Sequence, residues 1–246
     1  MSWMPVPAQR LGLALTVLVA LATTSFITLW VSTPSGDDVQ KRVLAKTRAE
    51  GVVLLSEDQV PPLLAQAVVA TEDERFYSHH GIDTIGLARA FLYDVTHYCF
   101  CQGGSTITEQ LVKDVYLGGS NEGYNKIVDV VLAYKVERVI GKKRIMADYL
   151  SEITTGYGLY GVSAAACAYF HKPLSDLSIA QYALLAGVTQ APSLYDPTVD
   201  PGLAQLRRSS VIAAMVSHGI ITPAQAATAN AEPVLTPGPR PASCPG

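Results

Sequence analysis

The chain has 246 residues, 49% of them hydrophobic, enough for the packed core of one large domain with appendages. Its 18 basic and 21 acidic side chains leave a formal charge of -3, so no nucleic-acid footprint is present. An anionic ligand must therefore be met by a local cluster of Lys and Arg rather than by the whole surface.

The first informative segment runs from Leu11 to Val31 without a charge, long enough as a helix to cross a hydrocarbon core of about 30 Å. Arg10 and the amino terminus precede it, and Asp37 and Asp38 follow. The positive-inside rule then keeps residues 1–10 in the cytoplasm and puts everything after Val31 outside. Ala20-Leu21-Ala22 resembles a signal-peptide cleavage triplet, but the apolar stretch continues through Trp30 and exceeds an ordinary leader. Residues 11–31 are read as an uncleaved single-pass anchor in a cytoplasmic membrane. Residues 32–45 then form a polar stalk, 46–230 an extracytoplasmic domain, and 231–246 a proline-rich, unpacked tail.

Within the domain the patterning is helical, with no long strand alternation. Pro61-Pro62 open an apolar helix that runs out near Thr71, and a second spans Asp83 to Tyr93 with Ile85, Ala88 and Leu92 on one side. Thr106 and Glu109 have capping-box spacing and predict a helix to Tyr116. The next, from about Asn125 to Ile140, carries an apolar stripe of Ile127, Val130, Val131 and Tyr134. Ser178 with Gln181, and Thr222-Pro223 with Gln225, mark two further helix starts. Cys99, Cys101, Cys167 and Cys244 are loop thiols or one disulfide. His97 to Cys101 lacks the usual zinc spacing and a second thiolate pair.

Two polar clusters carry chemistry. Glu72-Asp73-Glu74-Arg75 falls where the first apolar helix ends. Adjacent carboxylates raise one another's pKa, which suits general acid/base work, although a solvated helix end has the same composition. Gly103-Gly104-Ser105-Thr106 lead into a helix whose free N–H groups and dipole favour an anion, with Gln110 and Lys113 on one face. The Gly-Lys-Ser/Thr ending of a nucleotide phosphate loop is missing, and ordinary capping accounts for Thr106 and Glu109 equally well.

Together these clusters resemble the glycosyltransferase family 51 peptidoglycan polymerases, found alone or fused to penicillin-binding transpeptidases. Glu72, Asp73, Phe76, His79 and Gly81 fit the family's first motif, and Gly104 to Asp114 the second. Asn125-Lys126-Ile127-Val128-Asp129 meets the third imperfectly. Lys142, Ile145, Met146, Tyr149 and Leu150 meet the fourth, with Ser151 in place of Asn, and Arg207-Arg208 with Val211 meet the fifth.

The resemblance implies a mainly α, lysozyme-like helical domain with a small membrane-associated jaw between the first two motifs. Phe91, Leu92, Tyr93, Tyr98 and Phe100 suit an interface, or equally a core. It implies inverting transfer of a lipid-pyrophosphate-linked glycan onto a second lipid-linked disaccharide, lipid II, to make β-1,4 strands. Glu72 would be the base and Asp129 the second carboxylate, with Asp73 supporting Glu72. His79 would shape the loop and, with Asp73 and Phe76, line the substrate site, while Gly104, Ser105, Thr106, Gln110, Lys113 and Lys126 would meet the donor. Lys142, Tyr149, Arg207 and Arg208 would serve the frame. A magnesium or manganese ion could share the pyrophosphate, and other wall-synthesis proteins are implied partners. No transpeptidase Ser-x-x-Lys module follows.

Asn125 removes a cation, Asp129 is one methylene shorter than the family's Glu, and Glu109 adds an anion. These changes keep two alternatives in view: a weakened relative that binds lipid II or scaffolds wall synthesis, and a lysozyme-like lytic enzyme.

Overall fold

The computed structural model describes residues 8–98, 104–120, 122–156 and 158–236, the side chains from residue 13 onward. It divides into two compact units, residues 1–35 and 36–246. The first holds α1 (Ala8–Ser32), whose Leu13–Ser32 stretch is, among the described residues, the one helix long and apolar enough to cross a membrane. That is consistent with the single-pass anchor expected from the sequence.

The second unit is mainly α, in keeping with the lysozyme-like class. Its helices are α2 (Val39–Glu50), α3 (Pro62–Glu72), α4 (Thr84–His97), α5 (Ile107–Tyr116), α6 (Tyr124–Glu137) and α7 (Lys142–Glu152). After them come α8 (Val162–Phe170), α9 (Ile179–Val188), α10 (Pro201–Ser217) and α11 (Pro223–Ala231). A short antiparallel hairpin, β1 (Thr154–Gly156) with β2 (Leu159–Tyr160), separates α7 from α8. Helix starts follow local chemistry. Thr106, Ser178 and Thr222 each form a capping box, and Pro62, Pro201 and Pro223 stand where a missing N–H costs nothing.

α9 organises the core. It carries no charged residue, and everything from Ala180 to Val188 is buried against α3, α8, α10 and α11. Gly187 lets α10 come close: a Cβ there would lie 2.9 Å from Arg207 Cγ and 3.3 Å from Val211 Cγ2. Gly81, at φ +85°, performs a similar service for α6, because a Cβ would stand 2.6 Å from the Tyr134 backbone nitrogen.

Four expectations are revised. Residues 39–45, read as stalk, belong to α2, whose Val39, Val43 and Thr47 are buried against α5 and α7. On α6 the apolar stripe is only partly buried: Val131 lies inside but Ile127 and Tyr134 are exposed, while Val128, Asp129, Leu132 and Val136 turn inward. Nearly every face of that helix carries an apolar residue, so periodicity could not choose, and packing on α5 and Gly81 did. On α4 the stripe of Ile85 and Leu92 is exposed, and Ala90 is the helix's buried residue.

Finally, the chain at 232–236, read as tail, is fastened to the domain. Arg208 donates to the carbonyls of Glu232 at 2.6 Å and Pro233 at 3.0 Å, and the Thr236 amide donates to the Tyr169 carbonyl at 3.1 Å. Residues 237–246, with Cys244, lie outside the described residues, as do Cys99, Phe100, Cys101 and Gly103. Cys167 is disulfide-bonded.

Candidate functional site

α3 ends on Glu72, and the two adjacent carboxylates leave its terminus for different partners. Glu72, with a side chain only 8% exposed, meets Arg207 of α10 (Oε1 to Nη2, 3.1 Å) and the Gln110 amide of α5 (Nε2 to Oε2, 3.3 Å). Gln110 in turn accepts from the buried Tyr149 hydroxyl of α7 at 3.2 Å. Burial pushes the Glu72 carboxyl above its usual range, Arg207 and Gln110 pull it back, and the Asp73 charge adds to the rise.

Asp73 is committed elsewhere. It accepts from His79 Nε2 at 3.0 Å and, through Oδ2, from the Ile107 amide at 3.0 Å. Ile107 is the first residue of α5, so the anion that sits at this helix start is Asp73 itself. The Glu109 amide is taken by the Thr106 hydroxyl, which also donates to the Gly81 carbonyl at 2.7 Å. The glycine-rich helix start, expected to offer free N–H groups to a ligand, has therefore spent those of residues 107 and 109 internally, and the Thr106 hydroxyl with them. Asp73 thus ties the end of α3 to His79 and to the start of α5.

Behind this pair lies a buried scaffold. Lys142 pairs with Glu137 at 2.6 Å, approaches His79 Nδ1 at 3.4 Å and stands 4.3 Å over the ring of fully buried Phe76. These contacts hold Phe76, His79 and Lys142 together within the fold.

A second group gathers around Lys126 on α6. Its ammonium contacts Ser105 Oγ at 2.9 Å, Asp129 Oδ2 at 3.3 Å and Glu109 Oε1 at 3.4 Å, with the side chain 39% exposed. Asp129 is almost wholly buried, and its Oδ1 has no partner among the described residues. Burial raises both Asp129 and Glu109, with Lys126 opposing. Lys113 pairs with Asp114 at 3.5 Å and also acts favourably on Asp129. α5 joins the two groups, contributing Gln110 to the first and Glu109 and Lys113 to the second.

The cleft beside Glu72 has a volume of about 60 Å³ and is bordered by Glu74, Asp83, Arg89, Gly104 and Ser105. Arg89 donates to Glu74 at 2.7 Å on its rim. A larger cavity of about 610 Å³ lies among Val53, Leu55, Pro61, Leu63, Leu174 and Tyr182, away from these polar groups. Titratable groups converge on the smaller cleft.

Arg207 and Arg89 are the residues the sequence understated. Arg207 stood in a pair assigned to the frame; Arg208 donates to the carbonyls of Glu232 and Pro233, whereas Arg207 reaches the Glu72 carboxylate. No three His, Cys, Asp or Glu side chains converge as metal ligands among the described residues, and the Lys126 ammonium stands between Asp129 and Glu109.

Comparison with known proteins adds an independent observation. The sequence pattern of one family, described as transglycosylase, matches residues 40–216. The chain is 41% identical over 165 residues to penicillin-binding protein 1A of Neisseria flavescens, covering 67% of this chain and 21% of that protein. Against penicillin-binding protein 1A of Vibrio cholerae the identity is 37% over 194 residues, covering 79% and 24%. Against that of Aquifex aeolicus it is 43% over 171 residues, covering 70% and 24%. The chain thus spans only a fifth to a quarter of these relatives' lengths. A solved structure of penicillin-binding protein 1A from Haemophilus influenzae aligns with a TM-score of 0.45 and 22% identity, over 75% of this chain and 18% of that one.

Proposed function

The chain belongs to the transglycosylase family, and on that premise we propose that it polymerises lipid-linked disaccharide into β-1,4 glycan by inverting transfer, with Glu72 as general base. The observation that carries this reading is a buried carboxylate on the edge of a cleft, gripped through one oxygen by Arg207 and touched on the other by Gln110 at 3.3 Å. In the step, Glu72 takes the proton of the acceptor's 4-hydroxyl as that oxygen bonds to the anomeric carbon of the donor. The bond from that carbon to the pyrophosphate breaks on the opposite face, and its electron pair leaves with the phosphate oxygen. Lys126, Lys113 and Ser105 are the groups available to offset the charge that develops there.

A divalent ion fits this site only as a companion of the substrate's pyrophosphate. An ammonium already stands between the two acids that would otherwise hold it. The α1 span, with the domain outside the membrane, suits a lipid-linked substrate drawn from the bilayer.

A second reading is a weakened polymerase that binds lipid II without efficient turnover. Asn125 supplies no cation beside Lys126, and Asp129 is buried against that lysine. Incubation of the full chain in detergent with labelled lipid-linked disaccharide separates the readings. Polymer from the wild type that is lost in Glu72→Gln, by about 100-fold or more, supports the first. Saturable binding without polymer supports the second, and shortening of preformed glycan would overturn both.

A further inference from the structure

The two oxygens of Glu72 are not equivalent. Oε1 receives a charge-assisted bond from Arg207 at 3.1 Å, whereas Oε2 has the longer, neutral contact with Gln110 at 3.3 Å. The Arg207 guanidinium is itself fixed on other sides. Its Nε donates to the Gly187 carbonyl at 3.2 Å, its Cζ lies 5.7 Å from the centre of the Tyr195 ring, and its stem crosses α9 where Gly187 has no side chain. Gln110 is fixed as well, because its carbonyl oxygen takes the Tyr149 hydroxyl and turns the amide N–H toward Glu72.

We infer that Arg207 is a positioning residue for the base: it anchors Oε1, keeps the buried carboxyl ionised, and leaves Oε2 as the oxygen that accepts the proton from the acceptor sugar. This rests on Glu72 being the base.

The surrounding charges support the assignment. From its own segment Glu72 faces Asp73, a like charge that opposes ionisation. From α5 it faces the neutral Gln110, and α7 brings the neutral phenol of Tyr149. α9, packed along α3, has no charged residue. The cation that offsets burial is therefore Arg207, arriving from α10. A base must be ionised before it can accept a proton, and burial together with Asp73 works against that.

The test uses the full chain with lipid-linked disaccharide, following kcat and KM from about pH 5 to about pH 9. In Arg207→Met, the acid limb of the kcat profile moves up by about one pH unit, the size expected for loss of an adjacent cation. On the acid side of the wild-type limb kcat falls about tenfold, and it recovers partly at higher pH, with KM changed less than about threefold. Arg207→Lys, which keeps the cation but not the fork, holds the acid limb and loses kcat.

An acid limb unmoved in Arg207→Met with a uniform loss of kcat marks a merely structural role and overturns the proposal. So does a rise in KM at unchanged kcat, which would make Arg207 a substrate ligand. If Arg207→Met does not fold, full wild-type kcat in Arg207→Lys overturns the positioning role. Glu72→Gln in the same assay separates the two readings. Polymer from that variant overturns the base assignment itself, while its absence with an unshifted limb in Arg207→Met overturns the Arg207 assignment alone.

Discussion

Glu72 and Asp73 are neighbours in sequence with opposite assignments, and the difference arises where α3 ends. Glu72 is its last helical residue, while Asp73 has φ -156° and sends its carboxylate toward α5. There it accepts from His79 and from the first amide of α5, so it joins three segments. Replacing Asp73 with Asn keeps the shape but removes the charge from both bonds. The expected loss is about 1–3 kcal/mol of stability, read from the denaturant midpoint at neutral pH. Because the Asp73 charge raises the Glu72 carboxyl, the same variant moves the acid limb of activity downward, opposite in sign to Arg207→Met. A stable Asp73→Asn with its acid limb shifted upward would contradict both assignments. The pair itself was legible in the sequence from residue type and motif order. Its partners were not: the Glu72–Arg207 contact closes over 135 positions, and two adjacent arginines give no local sign of which one turns inward.

Among the elements, α2 was hidden by its polar composition and α5 was visible through its cap. α2 docks through charge as well as through Val39 and Val43. Lys46 pairs with Glu50 and with the fully buried Glu152 of α7, and Asp114 of α5 lies close enough to act on both Lys46 and Glu152. Burial, with Asp114 and Glu50 as like charges, pushes Glu152 from 4.5 up to about 8 against the pull of Lys46. A carboxyl whose folded pKa is raised contributes stability in full below its unfolded value and loses it as pH rises through the folded one. The unfolding free energy should therefore fall between pH 4.5 and about 8 on account of Glu152, by at most about 1.4 kcal/mol per pH unit. Glu109, Asp129 and Asp148 are shifted in the same direction, so the informative quantity is the difference between wild type and Glu152→Gln. Denaturant unfolding across that range should show a shallower decline in the variant, and parallel curves would mean that Glu152 ionises as freely as in the unfolded chain. Local rules served best at helix starts, where Thr106, Ser178 and Thr222 cap as their spacing implied. They failed for the faces of α4 and α6, because an apolar side chain does not record which surface it will meet.

For the molecule as a whole, that ambiguity concerns the membrane. α4 presents Phe91, Leu92 and Ile85 with 70, 64 and 58% of their surfaces exposed, together with Leu87 and Val95. A contiguous apolar face on a folded domain marks an interaction surface, and its position between the first two motifs is where a membrane-contacting jaw is expected. α1 supplies a separate apolar segment in a separate compact unit, so the two contributions can be tested apart. A chain lacking residues 1–35 retains the unit with its own buried core. It should still sediment with phospholipid vesicles if α4 lies in the interface. Phe91→Ser combined with Leu92→Ser should then reduce vesicle binding about tenfold or more, since burying each such side chain is worth about 1.5–3 kcal/mol. The melting temperature should stay within about 1 °C, because side chains this exposed contribute little to the core. Vesicle binding that is absent from the shortened chain would assign membrane attachment to α1 alone. Binding that survives the double substitution would mean that another surface of the domain meets the lipid.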